Sequence, residues 1–312
     1  MPAAQTRLPM AESMLLRTEQ LTKHYGKVRA LDGLTLKVGP GEIFGLLGPN
    51  GSGKSTVLRL LLGFLQPTSG RAAIAGHDCW HDSVGARRHV AYLPGELRLY
   101  ESMTGRQLVR FLTQLRNSHE TNHPPADDAE RDLERLARLF DIDISRPIAS
   151  LSSGMKRKVA LLQVLLPRAP LLIMDEPTNT LDPTMRDQLL EQILEAGKQG
   201  QAVLFSSHVL SEVEKVCDRV GILQEGRLVH VQEMAELREG RIVRATLAGS
   251  AETLPNLSGL RRHERHGDQL TLEYAGELPP LLAWLARQPI SDLQVEPLGL
   301  GPIYHRYHGN EA

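Results

Sequence analysis

Only two of the 312 residues are cysteine, Cys79 and Cys217, and they lie far apart in the chain. That excludes a disulfide scaffold. Long hydrophobic runs are missing too: none approaches the ~18 apolar residues a spanning helix needs. Mean hydropathy is −0.24, so no membrane span is expected. The N-terminal stretch lacks the apolar core of a secretory signal, so secretion is not expected. Neither charge sign dominates, with 36 Lys+Arg against 37 Asp+Glu and a net charge of −1. Such a balance leaves no polybasic surface for general nucleic-acid or membrane binding, and no nucleic-acid partner is expected. Internal repeats, low-complexity tracts and an N-K-x-D-like guanine reader are also absent, the last arguing against a GTPase.

What is present is a well-supplied core, 41% apolar, in a length that suits about two domains. Residues 1–14 show no periodicity and read as a flexible leader. LLRTEQLTKHY and ALDGLTLKV alternate as strands, and EIFGLLG has the nearly unbroken apolarity of a strand buried on both faces. VLRLLLGFL follows at helical spacing, as do MTGRQLVRFLTQLRN and AERDLERLARLFDI, with SHETNHPPADD an exposed loop between the last two. From residue 171, LLIMDEP, TMRDQLLEQILEAGKQG, AVLFSSH and VLSEVEKVCDRV read strand, helix, strand, helix, and GILQEGRLVHV reads as a hairpin turning at Glu225-Gly226. Alternation of that kind predicts a parallel α/β sheet. Beyond about residue 237, RIVRATLA, QLTLEYA and DLQVEP alternate with period two around a helical LPPLLAWLARQ, which predicts a small separate α+β unit.

Gly48-Pro49-Asn50-Gly51-Ser52-Gly53-Lys54-Ser55 fits G-x-x-x-x-G-K-[ST] at every fixed position. Its glycines let backbone N–H groups approach phosphate oxygens, and the helix that starts there turns its positive dipole end the same way. Lys54 is spaced to reach the β- and γ-phosphates, Ser55 offers a hydroxyl to Mg²⁺, and Thr56 continues the first turn. A glycine-rich turn with an incidental lysine is the plainer reading, but the buried strand before it and the helix after it are the context this motif requires. Downstream, four apolar residues end in Asp175-Glu176. At the carboxyl edge of a parallel sheet, Asp175 can hold the metal and Glu176 can position or deprotonate an attacking water. Solvated acids at an ordinary strand end are the alternative.

Between these motifs lies Leu151-Ser152-Ser153-Gly154-Met155, just ahead of a helix. This resembles the signature loop of ABC-type ATPases, and further pieces fall in that family's order. Tyr25 precedes the phosphate loop, as an adenine-stacking aromatic would. Tyr92-Leu93-Pro94-Gly95-Glu96 stands where the glutamine loop belongs. Thr180-Leu181-Asp182-Pro183 is similar to the D-loop, and Ser206-Ser207-His208 to the switch histidine. The resemblance spans about residues 15–234. It implies an ABC-type P-loop NTPase core over 15–236 with a helical subdomain near 97–166, plus an accessory domain over 237–312 similar to that of multidrug and antibiotic exporter ATPases.

The resemblance also implies a mechanism. Two such domains, in a homodimer or a heterodimer with a related ATPase, would sandwich ATP and Mg²⁺ between one phosphate loop and the partner's signature loop. Ser152 and Gly154 would contact the γ-phosphate, Asp182 would bridge the subunits, and His208 would contact the γ-phosphate or the water. A membrane permease on a separate chain would dock on the stretch 97–150 and hold the protein, peripherally, at the cytoplasmic face of the cell membrane, with export of a drug, antibiotic or lipid-like compound the favoured direction. A soluble ABC-type ATPase of ribosome or DNA is the alternative, and the short spacing between phosphate loop and signature, without heptads, argues against the coiled-coil DNA-repair branch. A directly drug-binding resistance protein would need a pocket motif in the tail, and there is none.

Departures from the family pattern matter as well. Ser153 stands where glycine is usual, which would cost roughly 1–2 kcal/mol if the backbone were left-handed there, and Met155 stands where glutamine is usual. Gly95 replaces the glutamine of the glutamine loop; either Glu96 reaches the metal in its stead or water does. Plainer readings stand beside several residues: a half-buried strand tyrosine for Tyr25, a satisfied histidine for His208, the start of a proline turn for Asp182. His263 and His266, with Arg261, Arg262 and Arg265, read as a solvated loop; Cys217 as core; Lys156-Arg157-Lys158 as an anion patch or the solvated start of a helix.

Overall fold

The computed structural model describes residues 14–117, 126–248 and 257–309; the leader over 1–14 therefore lies outside the description except for Met14, as do residues 118–125 of the loop expected between two helices. The chain divides between Val231 and Gln232 into two compact units. The first opens with β1 (Leu16–Tyr25) and β2 (Val28–Val38), then β3 (Ile43–Leu47) and α1 (Lys54–Leu61). After these come β4 (Ser69–Ile74), β5 (His77–Asp78), α2 (Ser83–Arg88) and β6 (Val90–Leu93), and then three helices, α3 (Gly105–Asn117), α4 (Ala126–Leu139) and α5 (Ser153–Leu165). The unit finishes with β7 (Leu171–Asp175), α6 (Pro183–Lys198), β8 (Ala202–Ser207), α7 (Leu210–Val216), β9 (Arg219–Gln224) and β10 (Arg227–Glu233).

Two sheets result. One is antiparallel, in the order β2-β1-β4-β5; the other runs β10-β9-β3-β8-β7-β6, with β9, β3, β8, β7 and β6 parallel. Every residue of β3, β7 and β8 is buried, as an unbroken apolar run covered on both faces requires. One core cluster joins Leu21 and Leu34 of the antiparallel sheet, Val57, Leu58 and Leu61 of α1, and Phe44, Ile173 and Leu204 of the parallel sheet. Each of these large side chains contributes roughly 1.5–3 kcal/mol on burial.

The register of the parallel strands brings their carboxyl ends level: Leu47 lies opposite Ser207, Asp175 opposite Ser206, and Leu93 opposite Met174. Loops leaving β3, β6, β7 and β8 therefore emerge side by side, the arrangement that makes the carboxyl edge of an open α/β sheet a ligand crevice. The turn Glu225-Gly226 has φ of 47° and 78°, the paired positive values of a two-residue hairpin turn.

The second unit holds α8 (Met234–Glu239), β11 (Arg241–Leu247), β12 (Leu260–His266), β13 (Gln269–Tyr274), α9 (Leu278–Leu285), β14 (Ile290–Pro297) and α10 (Gly301–His308). Its strands form one sheet, β12-β13-β11-β14. Alternate residues Val243, Ala245 and Leu247 of β11 and Leu270, Leu272 and Tyr274 of β13 pack on Leu281, Trp284 and Leu285 of α9.

Some expected boundaries move. The helix after the phosphate loop stops at Leu61, before a Gly63 with φ of 67°, and does not run on to Leu65. The helix starting near Val209 ends at Val216; Asp218 instead accepts a hydrogen bond from Ile43 N, and Arg219-Val220 open β9. Helix α4 starts at Ala126, inside the stretch read as loop. The His263/His266 segment is not a loop either. It is the edge strand β12, exposed along most of its length, and for that reason it shows no apolar alternation.

Candidate active site

The phosphate loop leaves β3 at Gly48. A Cβ there would lie 2.5 Å from Ser52 Oγ and 2.6 Å from Leu223 O, so only glycine fits. Gly53 takes φ of 109° as the residue before α1, and α1 has neither a side-chain cap nor an acidic residue in its first turn. Its first N–H groups and dipole end face the loop without a competing anion. Ser52 is buried, and its Oγ has no hydrogen-bond partner among the described residues. A buried hydroxyl left this way is the kind of group a ligand oxygen satisfies. Asn50, Gly51, Ser55 and Thr56 lie exposed or half-buried around it.

Lys54 is almost wholly buried. Its Nζ donates to Gly48 O at 2.6 Å and Pro49 O at 3.1 Å and lies 3.8 Å from Glu176 Oε1. Burial pulls its pKa below the usual lysine value, and Glu176 and Asp175 work against that pull. Glu176 is the common partner of the site. Besides Lys54, its Oε1 lies 3.5 Å from His208 Nδ1, and its Oε2 accepts from Asn179 Nδ2 at 2.5 Å. The Glu176 backbone has φ of 45°, a left-handed conformation that costs a non-glycine residue roughly 1–2 kcal/mol. Ser206 supports this strained position: its Oγ accepts from Glu176 N at 2.9 Å and donates to Asp175 Oδ1 at 2.6 Å. A second buried set lies behind, where Glu212 Oε2 accepts from Thr178 Oγ1 at 2.8 Å and Ser207 Oγ at 3.2 Å.

The stretch Lys156-Arg157-Lys158 is neither an anion patch nor a solvated helix start. Lys156 pairs with Glu101 at 2.7 Å and Lys158 donates to Asp141 O at 3.4 Å, both at the surface. Arg157 is buried, and its guanidinium bonds the backbone carbonyls of Pro94, Gly95, Asp175, Glu176 and Pro177. Burial pulls its pKa down and Asp175 and Glu176 oppose this.

The structure thus brings Lys54, Asp175, Glu176 and His208 together, and leaves other candidates apart. Tyr25 is an exposed ring at the end of β1, with Lys23 Nζ 5.1 Å above it, rather than a half-buried strand residue. Ser152 is the N-cap of α5, its Oγ accepting from Met155 N at 3.3 Å. Ser153 is the first residue of that helix, so the left-handed cost does not arise. Gly154 comes close to the D-loop, where a Cβ would be 3.2 Å from Thr180 O. Asp182 caps α6, accepting from Met185 N at 3.0 Å ahead of Pro183. Gly95 does border Asp175, a Cβ there lying 3.3 Å from Asp175 Oδ2. Glu96 is exposed and makes no hydrogen bond or ion pair among the described residues. Cys217 is fully buried, as expected of a core residue.

Asn179 and Glu212 were passed over in the sequence reading, and Ser206 and Arg157 were quoted there without the roles the structure gives them. Asn179 could have been found from its spacing, three residues beyond Glu176 across a turn; Ser206 from lying opposite Asp175 once the strands are aligned. Nothing in the text of the sequence separates Arg157 from the two lysines beside it.

Comparison with known proteins narrows the reading. The family described as ABC transporter matches residues 31–179. A linearmycin resistance ATP-binding protein of Bacillus subtilis is 31% identical over 76% of this chain and 76% of its own. The bacitracin transport ATP-binding protein of Bacillus licheniformis is 34% identical over 70% of this chain and 69% of its own. Among solved structures, an ATP-binding subunit of an ABC transporter superposes with a TM-score of 0.66 at 32% identity, covering 72% of this chain and 92% of that one. With the phosphate loop, the acidic strand end and the histidine converging as they do, the chain belongs to the ABC transporter family as an ATP-binding, ATP-hydrolysing subunit.

Proposed function

We propose that this subunit powers export of an antibiotic- or lipid-like compound through a permease on a separate chain at the cytoplasmic membrane face. The observation that carries the catalytic part is the meeting of Lys54, His208 and Asn179 on the carboxylate of Glu176, beside the uncapped start of α1. Backbone N–H groups of the loop and Lys54 bind the phosphates of ATP. Glu176 holds the attacking water and takes its proton, and His208, at the same carboxylate oxygen, orients the water or the γ-phosphate. Ser55 and Asp175 are the oxygen donors that would hold Mg²⁺. They suit an ion that keeps waters and phosphate oxygens as its other ligands, and among the described residues no cluster of three or more His, Cys, Asp or Glu offers a dedicated metal cage. When bound, Mg²⁺ neutralises charge developing on the phosphates.

Ser152, Gly154 and Asp182 serve a second copy or a related ATPase, the first two at the start of α5 closing on the partner's γ-phosphate. Tyr25 serves adenine stacking. Support for the permease comes from α3 and the loop before it, where Tyr100 and Leu115 are exposed and Tyr100 stacks edge-on with Phe111 at 6.1 Å. Among the described residues no helix is long and apolar enough to cross a membrane. The relatives named for linearmycin resistance and bacitracin transport favour export of such compounds.

Glu176→Gln tests the core of this reading. Turnover falls by about 10²–10⁴-fold, the range for loss of a positioned base, while ATP still binds and an ATP-held dimer becomes measurable by light scattering. Unchanged turnover removes Glu176 from its role.

A further inference from the structure

The buried guanidinium of Arg157 spends all five of its N–H groups on backbone carbonyls. Nη1 donates to Pro94 O at 2.9 Å and Gly95 O at 3.0 Å; Nη2 donates to Asp175 O at 3.1 Å and to Glu176 O; Nε donates to Pro177 O at 3.3 Å. Five N–H groups are the whole capacity of an arginine side chain. The acceptors belong to two segments: the loop after β6, and the strained end of β7 that carries Glu176. The residue itself rides on α5, whose N-cap is Ser152. A lysine has neither the planar fork nor enough donors to do this.

We infer that Arg157 is a positioning residue for hydrolysis: it locks the left-handed backbone at Glu176 to the Pro94–Gly95 loop and to α5, so that the water-activating carboxylate is aimed only when those three segments are in register. The lock compensates for Gly95, which has no side chain to link the loop to Asp175. Movement of the loop or of α5 is passed to Glu176 through one rigid group rather than through a chain of packed side chains. The inference rests on Glu176 acting on the water as proposed above.

The test is ATP turnover and nucleotide affinity in the full-length protein carrying Arg157→Met, Arg157→Lys and Glu176→Gln, alone and with Arg157→Met combined with Glu176→Gln. Arg157→Met is expected to lower kcat about a hundredfold, the order found when a catalytic group is misplaced by an ångström, with ATP affinity unchanged. Combined with Glu176→Gln, it lowers the residual turnover no further, because it acts only through that carboxylate. Arg157→Lys keeps the charge and is expected to fold and bind ATP, yet to recover only a fraction of the lost kcat. It carries the test should the methionine variant fail to fold. Wild-type kcat in either Arg157 variant overturns the inference, as does an equal further loss in the Glu176→Gln background. An unaffected Glu176→Gln single variant overturns the catalytic reading instead, so the two failures are distinguishable.

Discussion

On one side of the nucleotide site, Glu176 is gripped through its carboxylate by Lys54, His208 and Asn179 and through its backbone by Ser206 and Arg157. On the other, Ser152 and Asp182 lie exposed, each with its side chain turned to the start of its own helix through a single bond of 3.3 or 3.0 Å. In the proposed roles, the groups around Glu176 that act on ATP of their own chain are cross-linked, strained backbone included, with Lys54 buried and His208 about half exposed. Ser152 and Asp182, proposed to face a partner, are each held by one exchangeable capping bond. A capping hydroxyl is already aimed along the helix dipole, so a phosphate oxygen arriving at α5 finds the donor end it needs with little rearrangement.

The cross-linked half is the easier to break. Lys54→Ala removes the ammonium that lies between the loop carbonyls and Glu176, and ATP affinity is expected to fall about ten- to a hundredfold, the worth of one charge-assisted bond. Equilibrium binding of a fluorescent ATP analogue measures it, with the thermal midpoint as control that the loop survives. Normal affinity would detach the lysine from the phosphates and leave the glycine loop as an ordinary turn.

How far this contrast could be read from sequence differs between the halves for a physical reason. The phosphate loop and the acidic strand end are local: consecutive residues set the backbone path, so Gly48 to Ser55 and Asp175-Glu176 are visible as words. The parallel sheet was legible because strands buried on both faces are apolar throughout. Arg157, Ser206 and Glu212 were hidden, because their roles exist only after β6, β7 and β8 are laid side by side. Arg157 in particular sits between two lysines in what reads as a basic surface run, and burial alone separates it. In the second unit the apolar alternation of β11 and β13 was plain, whereas β12, exposed on an edge, carries no such period.

The exposed half yields to a gentler change. Ser152→Ala removes the cap of α5 at a cost of about 1 kcal/mol in stability, visible as a lowered thermal midpoint. The comparison predicts that ATP affinity at low protein concentration stays the same, because the hydroxyl is proposed to serve a neighbour's nucleotide. Turnover at high protein concentration should drop about tenfold, one hydrogen bond to a charged group. A loss of ATP affinity in dilute protein would place Ser152 in the same half as Lys54 and erase the distinction.

The smallest expected effect comes from Gly95→Gln. The backbone there is not left-handed, and the added Cβ would stand 3.3 Å from Asp175 Oδ2, so the carboxylate gives way by a few tenths of an ångström while Arg157 keeps the Gly95 carbonyl in place. The new amide oxygen would then sit next to Asp175 and add a ligand to the Mg²⁺ that Asp175 is proposed to hold. Half-maximal ATPase should shift to lower Mg²⁺ by a few-fold, with maximal turnover little changed. Glu96→Ala is the matched control: its side chain is exposed and makes no hydrogen bond or ion pair among the described residues, so its Mg²⁺ dependence should equal that of the unaltered protein. The opposite pattern, with Glu96→Ala raising the Mg²⁺ requirement and Gly95→Gln inert, would mean that the loop swings by a residue when ATP binds, and that the buried half of the site is less rigid than its hydrogen bonds indicate.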